Sequence, residues 1–96
     1  MGNGTERHAV PTQAKPVFDV IAETRRDKGL SQDELAARLR AASGNSGITR
    51  EDVSRWERGK RIPGPYWRSW LSQVLDTCPQ ELRAAAALAR RYRRHA

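Results

Sequence analysis

Cysteine and histidine are scarce in this sequence of 96 residues, which has one cysteine and two histidines. Because Cys78 has no second cysteine to pair with, an internal disulfide and a thiolate metal cluster are both excluded. His8 and His95 stand near opposite ends, so the two do not have the spacing of a metal site. We therefore expect a protein that holds no metal ion.

Long apolar runs are also lacking, and none approaches the length that crosses a membrane. The first residues contain no hydrophobic core of a secretion signal. The sequence has no His or Cys dyad, no phosphate-cradling glycine loop and no acids spaced for metal ions. These absences predict a cytoplasmic protein that is not an enzyme, uses no cofactor and does not enter a membrane.

Positive charge, by contrast, is in excess: 18 Lys and Arg face 11 Asp and Glu, for a formal net charge of +7. Most of the basic residues are arginine, whose planar fork suits phosphates and guanine edges. Such an excess indicates a polyanionic partner, most commonly nucleic acid. A basic surface that only keeps the protein in solution is the alternative.

Apolar residues recur at helical intervals, which predicts five helices, no strand and an all-α fold. The first helix is expected from about Val17 to Lys28, with Gly29 as its left-handed cap. Ser31 and Glu34 have the spacing of a capping box at the start of the second helix.

The starts of the later helices are marked equally clearly. Thr49 and Asp52 have the spacing of another capping interaction, and Gly59 is expected to end this third helix. Proline suits the first position of a helix, and Pro65 and Pro79 are therefore expected to begin the fourth and fifth helices.

The chain divides into three predicted parts. Residues 1–16 are rich in Gly and Pro, have few apolar residues, and are expected to be a flexible, disordered arm. Residues 17–82 are expected to form the folded domain. Residues 83–96 form a basic C-terminal helix or tail.

The third predicted helix, at about residues 49–58, has two different faces. Val53 and Trp56 share an apolar edge that would pack against Leu35 and Leu39 of the second helix. Trp56 is thus interpreted as a core residue rather than one that stacks on bases. The residues of the opposite face carry charge or donate hydrogen bonds: Arg50, Glu51, Ser54, Arg55 and Arg58. A helix held in this way presents a face that fits a DNA major groove.

Two sequence blocks resemble the Cro/repressor-type, or XRE-type, helix-turn-helix family. They are Leu30-Ser31-Gln32 with Glu34-Leu35-Ala36, and the run from Ser54 to Arg61 followed by Pro63. The resemblance covers roughly residues 17–82 and implies a five-helix, lambda-repressor-like domain that binds double-stranded DNA. The long turn and the Pro-Tyr-Trp start of the fourth helix are more narrowly similar to small actinobacterial members.

The resemblance also implies roles for individual residues. Arg50, Glu51 and Arg55 match positions that contact base edges, with Thr49 and Ser54 flanking them. Glu51 either accepts from a cytosine amino group or only complements the helix dipole.

Further positions match contacts to the DNA backbone or internal supports. The residues expected at phosphates are Gln32, Arg58, Lys60 and Arg61, and a helix N-terminus independently favours an anion beside Gln32. Glu57 matches a family acid that pairs with an arginine of the first helix, and Arg25 is the expected partner. Val53 and Trp56 support the helix from behind.

One departure from the family pattern is a longer turn between the second and third helices. The segment from Arg40 to Gly47 is inserted there, and its residues 42–47 are a loop by composition. Gly44 and Gly47 allow such a loop to close. The insertion is also a candidate for contact with DNA or with another protein.

The arginine-rich run at residues 90–94 leaves three interpretations open. It is a solvated tail, a clamp on the DNA backbone, or part of a helix that dimerises. The residues of that dimer seam would be Leu82, Ala85, Ala86, Ala89 and Tyr92.

The leading functional hypothesis is a sequence-specific transcriptional regulator associated with the nucleoid, which binds two half-sites as a homodimer. The alternative is a protein-interaction module, antitoxin-like or a regulatory partner, on a helix-turn-helix scaffold. Its contact surface would be the insertion together with Trp67 and Trp70.

Overall fold

The computed structural model describes residues 14–95. It has five helices: α1 (Val17–Asp27), α2 (Gln32–Ser43), α3 (Arg50–Glu57), α4 (Pro65–Leu75) and α5 (Pro79–His95). The described part of the chain contains no strand. The predicted all-α, five-helix fold is confirmed.

Both predicted capping boxes are formed. The Ser31 hydroxyl accepts from the Glu34 backbone N–H at 3.0 Å, and the Glu34 carboxylate accepts from the Ser31 N–H at 2.8 Å. Thr49 and Asp52 make the equivalent pair at the start of α3, at 3.4 and 2.9 Å. Each box satisfies N–H groups that have no partner within their own helix.

The turn between α2 and α3 is shorter than the sequence predicted. Ala42 and Ser43 were expected in the loop but belong to the last turn of α2, which ends at Gly44 with a positive φ of 72°. The Ser43 hydroxyl donates to the Leu39 carbonyl at 2.7 Å, within the helix. About half of the inserted segment therefore extends α2, and Gly44 ends the helix there because glycine adopts the left-handed conformation without strain.

The rest of this turn is anchored rather than loose. Arg40 donates a hydrogen bond of 2.9 Å from Nη1 to the carbonyl of Ile48, and the Ile48 side chain is buried. The turn is thus fixed to α2 by a polar contact and to the core by an apolar one.

The core lies between all five helices. Its largest fully buried side chains include Ile21 of α1, Leu35 of α2, Val53 of α3, Leu71 of α4 and Leu82 of α5. Each helix thus buries one apolar face, as its periodicity predicted. Trp67 and Trp70 are both half-buried against this core.

Helix α5 is a continuous part of the same core. Its packing face consists of Leu82, Ala85, Ala86 and Ala89, which are all buried within the monomer. Four of the five residues of the predicted dimer seam are therefore not available, and only Tyr92 of that set is exposed, so the interpretation of this face as a dimer seam is wrong. The boundary drawn between residues 82 and 83 falls inside α5.

The predicted flexible arm, residues 1–16, lies mostly outside the described residues. Its last three residues, from 14 to 16, are described, and Lys15 pairs with Glu23 of α1 at 2.6 Å. Of the helices in residues 14–95, none has the length and apolarity needed to cross a membrane.

Candidate nucleic-acid interface

Helix α3 is held by its apolar edge and leaves its polar face at the surface. Val53 is fully buried and Trp56 is only 5% exposed, whereas Arg50, Glu51 and Arg58 are exposed. Thr49 is also exposed, Ser54 is half-buried, and the Arg55 side chain is 41% exposed. The side chains predicted to contact bases therefore lie outside the core.

Carboxylates hold two of these arginines in place on the surface of α3. Glu51 lies 3.5 Å from an Arg58 nitrogen and 3.9 Å from an Arg55 nitrogen, and Asp52 lies 3.6 Å from the other terminal nitrogen of Arg55. Exposed pairs of this kind contribute little to stability. Arg55 and Arg58 can therefore leave these carboxylates and bind base or phosphate oxygens instead, at a small cost in free energy.

The C-terminal end of α3 is fixed by an ion pair with α1. Arg25 donates from Nε and Nη2 to the two Glu57 oxygens, at 2.7 and 3.0 Å, and its third nitrogen donates to the Leu30 carbonyl at 2.7 Å. The hydrogen bond to Glu57 raises the pKa of Arg25. The two side chains are only 13% and 7% exposed, so this bidentate pair is shielded from solvent.

Gln32 also binds Glu57, a contact that the sequence analysis did not anticipate. Its Nε2 donates to Oε1 of Glu57 at 2.9 Å. Gln32 is the first residue of α2, so the carboxylate at the end of α3 joins side chains from α1 and α2. The amide retains a second N–H, which leaves a donor for an anion at the N-terminus of α2.

The segment after α3 folds back on the end of that helix. Gly59 has a φ of 72°, and the N–H groups of Lys60 and Arg61 both reach the Arg55 carbonyl, at 2.9 and 3.3 Å. The side chains of Lys60 and Arg61 are exposed and form no ion pair within residues 14–95. Two unneutralised cations thus stand directly beside α3.

The family model described as helix-turn-helix matches residues 21–65, from the buried Ile21 of α1 to the first residue of α4. The chain contains a helix-turn-helix domain. It is of the Cro/repressor type, a DNA-binding domain of transcriptional regulators, which confirms the resemblance drawn from the sequence. No curated protein and no solved structure matches the chain. The narrower resemblance to actinobacterial members stays a prediction.

The longer turn of this helix-turn-helix domain lies beside α3 without covering it. Asn45 and Gly47 of the turn line a cleft together with Arg55, Arg61 and Trp67. Arg55 retains 41% of its side-chain exposure. The insertion therefore leaves access to the polar face of α3, and no sequence signal placed Asn45 and Arg55 at the same cleft.

Proposed function

We propose that the helix-turn-helix domain binds double-stranded DNA in a sequence-specific way, with α3 in the major groove. The observation that carries the proposal is the division of α3. Val53 and Trp56 support it from the core, while Arg50, Glu51 and Arg55 stand at the surface. A short helix with this polarity has the dimensions that a major groove admits.

Arg50 and Arg55 are the proposed base readers. Each guanidinium can donate two hydrogen bonds to a guanine, which gives roughly 1–3 kcal/mol of discrimination against the wrong base. Thr49 and Ser54 flank them and add contacts to neighbouring base edges. Glu51 has two alternative roles: it accepts a hydrogen bond from a cytosine amino group, or it only complements the dipole of α3.

The DNA backbone would be held at both ends of this surface. Gln32 binds a phosphate at the N-terminus of α2, where the helix dipole and free N–H groups attract anions. Arg58, Lys60 and Arg61 bind phosphates on the other side. These contacts fix the position of the domain and carry no sequence information.

As a transcriptional regulator in the cytoplasm, bound at the nucleoid, the protein would read two half-sites as a homodimer. The half-sites would lie about one turn of DNA apart, as dimeric helix-turn-helix proteins require. The dimer surface must lie elsewhere than the packing face of α5, because that face is buried in the monomer.

Selection from randomised duplexes, followed by mobility shift at two salt concentrations, tests the proposal. Arg55→Ala should flatten the preference among sequences, whereas Lys60→Ala should weaken binding to all sequences alike. Arg38→Ala is a matched control, since it removes an exposed arginine at the surface between α2 and α4. If wild-type protein shows no preference for any duplex, the proposal is wrong.

The protein-interaction alternative has less support. It needs Trp67 and Trp70 as contact residues, yet both are half-buried, and Trp67 packs on Trp56 with ring centroids 6.3 Å apart. A single stoichiometric protein partner, together with DNA binding that ignores sequence, would favour it.

A further inference from the structure

A groove between the turn that follows α3 and the C-terminal half of α5 is lined by positive charge. Its charged lining residues come from the α3–α4 turn, α4 and α5: Lys60, Arg61, Arg68, Arg90 and Arg93. Among residues 14–95, no acidic residue lines it. We call these five residues and the space between them the basic groove.

The charges of the basic groove are not neutralised within the fold. None of its five side chains forms an ion pair with a carboxylate of residues 14–95. Burial, together with the charges of Arg90 and Arg83, lowers the pKa of Arg68. Cations that repel one another at close range are stabilised by an anion placed between them.

The packing of the fold keeps the two sides of the groove together. Phe18 of α1 contacts Tyr92 of α5, with ring centroids 6.0 Å apart, and an added Cβ at Gly59 would lie 3.5 Å from the Phe18 ring. Phe18 thus lies between the end of α5 and the turn after α3. Arg68 is oriented as well, because its Nη1 donates to the Pro63 carbonyl at 3.0 Å.

We propose that the basic groove binds the DNA backbone of the same duplex, outside the base pairs that α3 reads. The proposal rests on the proposed function, because Lys60 and Arg61 belong both to the groove and to the surface beside α3. Each strand of a duplex carries one phosphate charge per about 3.4 Å of the helix axis. A backbone strand that passes Lys60 therefore offers further phosphates to Arg90 and Arg93.

The salt dependence of DNA binding separates this site from the rest of the interface. Each phosphate contact that is lost lowers the slope of log affinity against log salt by about 0.9. Arg90→Ala/Arg93→Ala should lower that slope by up to about two units while leaving the base preference unchanged. When this double variant binds DNA, its hydroxyl-radical footprint should show fewer protected backbone positions at one flank of the binding site.

Two further variants make the result specific. Arg26→Ala/Arg38→Ala removes the same charge from exposed positions outside the groove and should leave the flank protected. Arg90→Lys/Arg93→Lys keeps the charge and should retain the slope. Thermal unfolding checks that all variants are folded. We expect them to be, because Arg90 and Arg93 are exposed and not part of the core.

Equal slopes and footprints for the alanine pair and its control would overturn the inference. The same holds if inorganic phosphate stabilises the wild type through Arg90 and Arg93 while the duplex contacts stay unchanged, since the groove would then bind a small anion only. A wild type that binds duplexes without sequence preference would refute the proposed function alone. The slopes on any duplex would still decide the role of the groove.

Discussion

Gln32, the first residue of α2, donates a 2.9 Å hydrogen bond to Glu57, the last residue of α3. The same carboxylate accepts from Arg25 of α1. The end of α3 is thus fixed by side chains from both preceding helices, through one acceptor. This arrangement sets the angle at which the polar face of α3 is presented.

A carboxylate at position 32 should destabilise the fold more than removal of the side chain. Gln32→Ala loses one partly buried hydrogen bond, which costs about 1 kcal/mol. Gln32→Glu places a like charge against Glu57 and should cost more, although an acid in the first turn of a helix is otherwise favourable. Denaturant unfolding of both variants measures the difference. A Gln32→Glu protein as stable as wild type would show that the contact with Glu57 is not maintained.

Removal of one partner from the Arg25–Glu57 pair should be strongly destabilising. Arg25→Met or Glu57→Leu leaves a shielded charge without its partner, and the free energy of unfolding should fall by roughly 3–5 kcal/mol. The double variant Arg25→Met/Glu57→Leu should lose less free energy of unfolding than the two single variants added together, because neither charge is left without its partner. Urea unfolding of the three variants tests the coupling, and additive losses would argue against it.

Neutralisation of Glu51 should increase general affinity for DNA. Its carboxylate lies within 4 Å of both Arg55 and Arg58, so Glu51→Gln frees Arg58, leaves Arg55 paired with Asp52 alone, and removes a charge that repels phosphates. Mobility shift with specific and unspecific duplexes should show tighter binding to both. If the variant instead changes preference at one base pair only, Glu51 reads a base. Glu81→Gln, which removes an exposed acid from the first turn of α5, outside the proposed DNA contacts, is the matched control.

The capping box of α2 should make part of the stability depend on acidic pH. Hydrogen bonds from Ser31 lower the pKa of Glu34 below its ordinary value of about 4.5. The contribution of this carboxylate is therefore complete above the unfolded pKa and is lost as the pH falls through the lower folded value. Thermal unfolding from neutral pH to about 3 should show a smaller acid loss for Glu34→Gln than for wild type.

The matched control for this titration is Asp33→Asn, which removes an acid from the same turn without touching the box. It should follow the wild-type dependence more closely than Glu34→Gln does. If the stability of wild type and of Glu34→Gln depended on pH in the same way, the Glu34 carboxylate would make no pH-dependent contribution to stability.

Local signals in the sequence were enough to place the helices. The boxes at Ser31 and Thr49 and the prolines at positions 65 and 79 mark helix starts through contacts within a few residues. The last turn of α2 was missed because Ala42 and Ser43 fit a helix or a loop, and the hydrogen bond from Arg40 to the Ile48 carbonyl that anchors the shorter turn has no signal in the sequence.

Tertiary contacts of the candidate site were less accessible from sequence. The bond between Gln32 and Glu57 spans 25 positions and has no periodic signature. The basic groove likewise joins residues 60 and 93, which the packing of α5 against α1 and α4 brings to one place. The sequence showed the arginines of α5 as a charged run, but it did not indicate that Lys60, Arg61 and Arg68 lie beside them.

Helix α3 has only eight residues, about two turns, and so short a segment is not helical on its own in water. Its conformation depends on Val53, Trp56 and the contacts of Glu57 with two other helices. Its amide protons that are bonded within the helix should consequently exchange with solvent only when the whole domain opens. Recognition of DNA by this surface is then an all-or-none property of the domain, lost with global unfolding and not by local fraying.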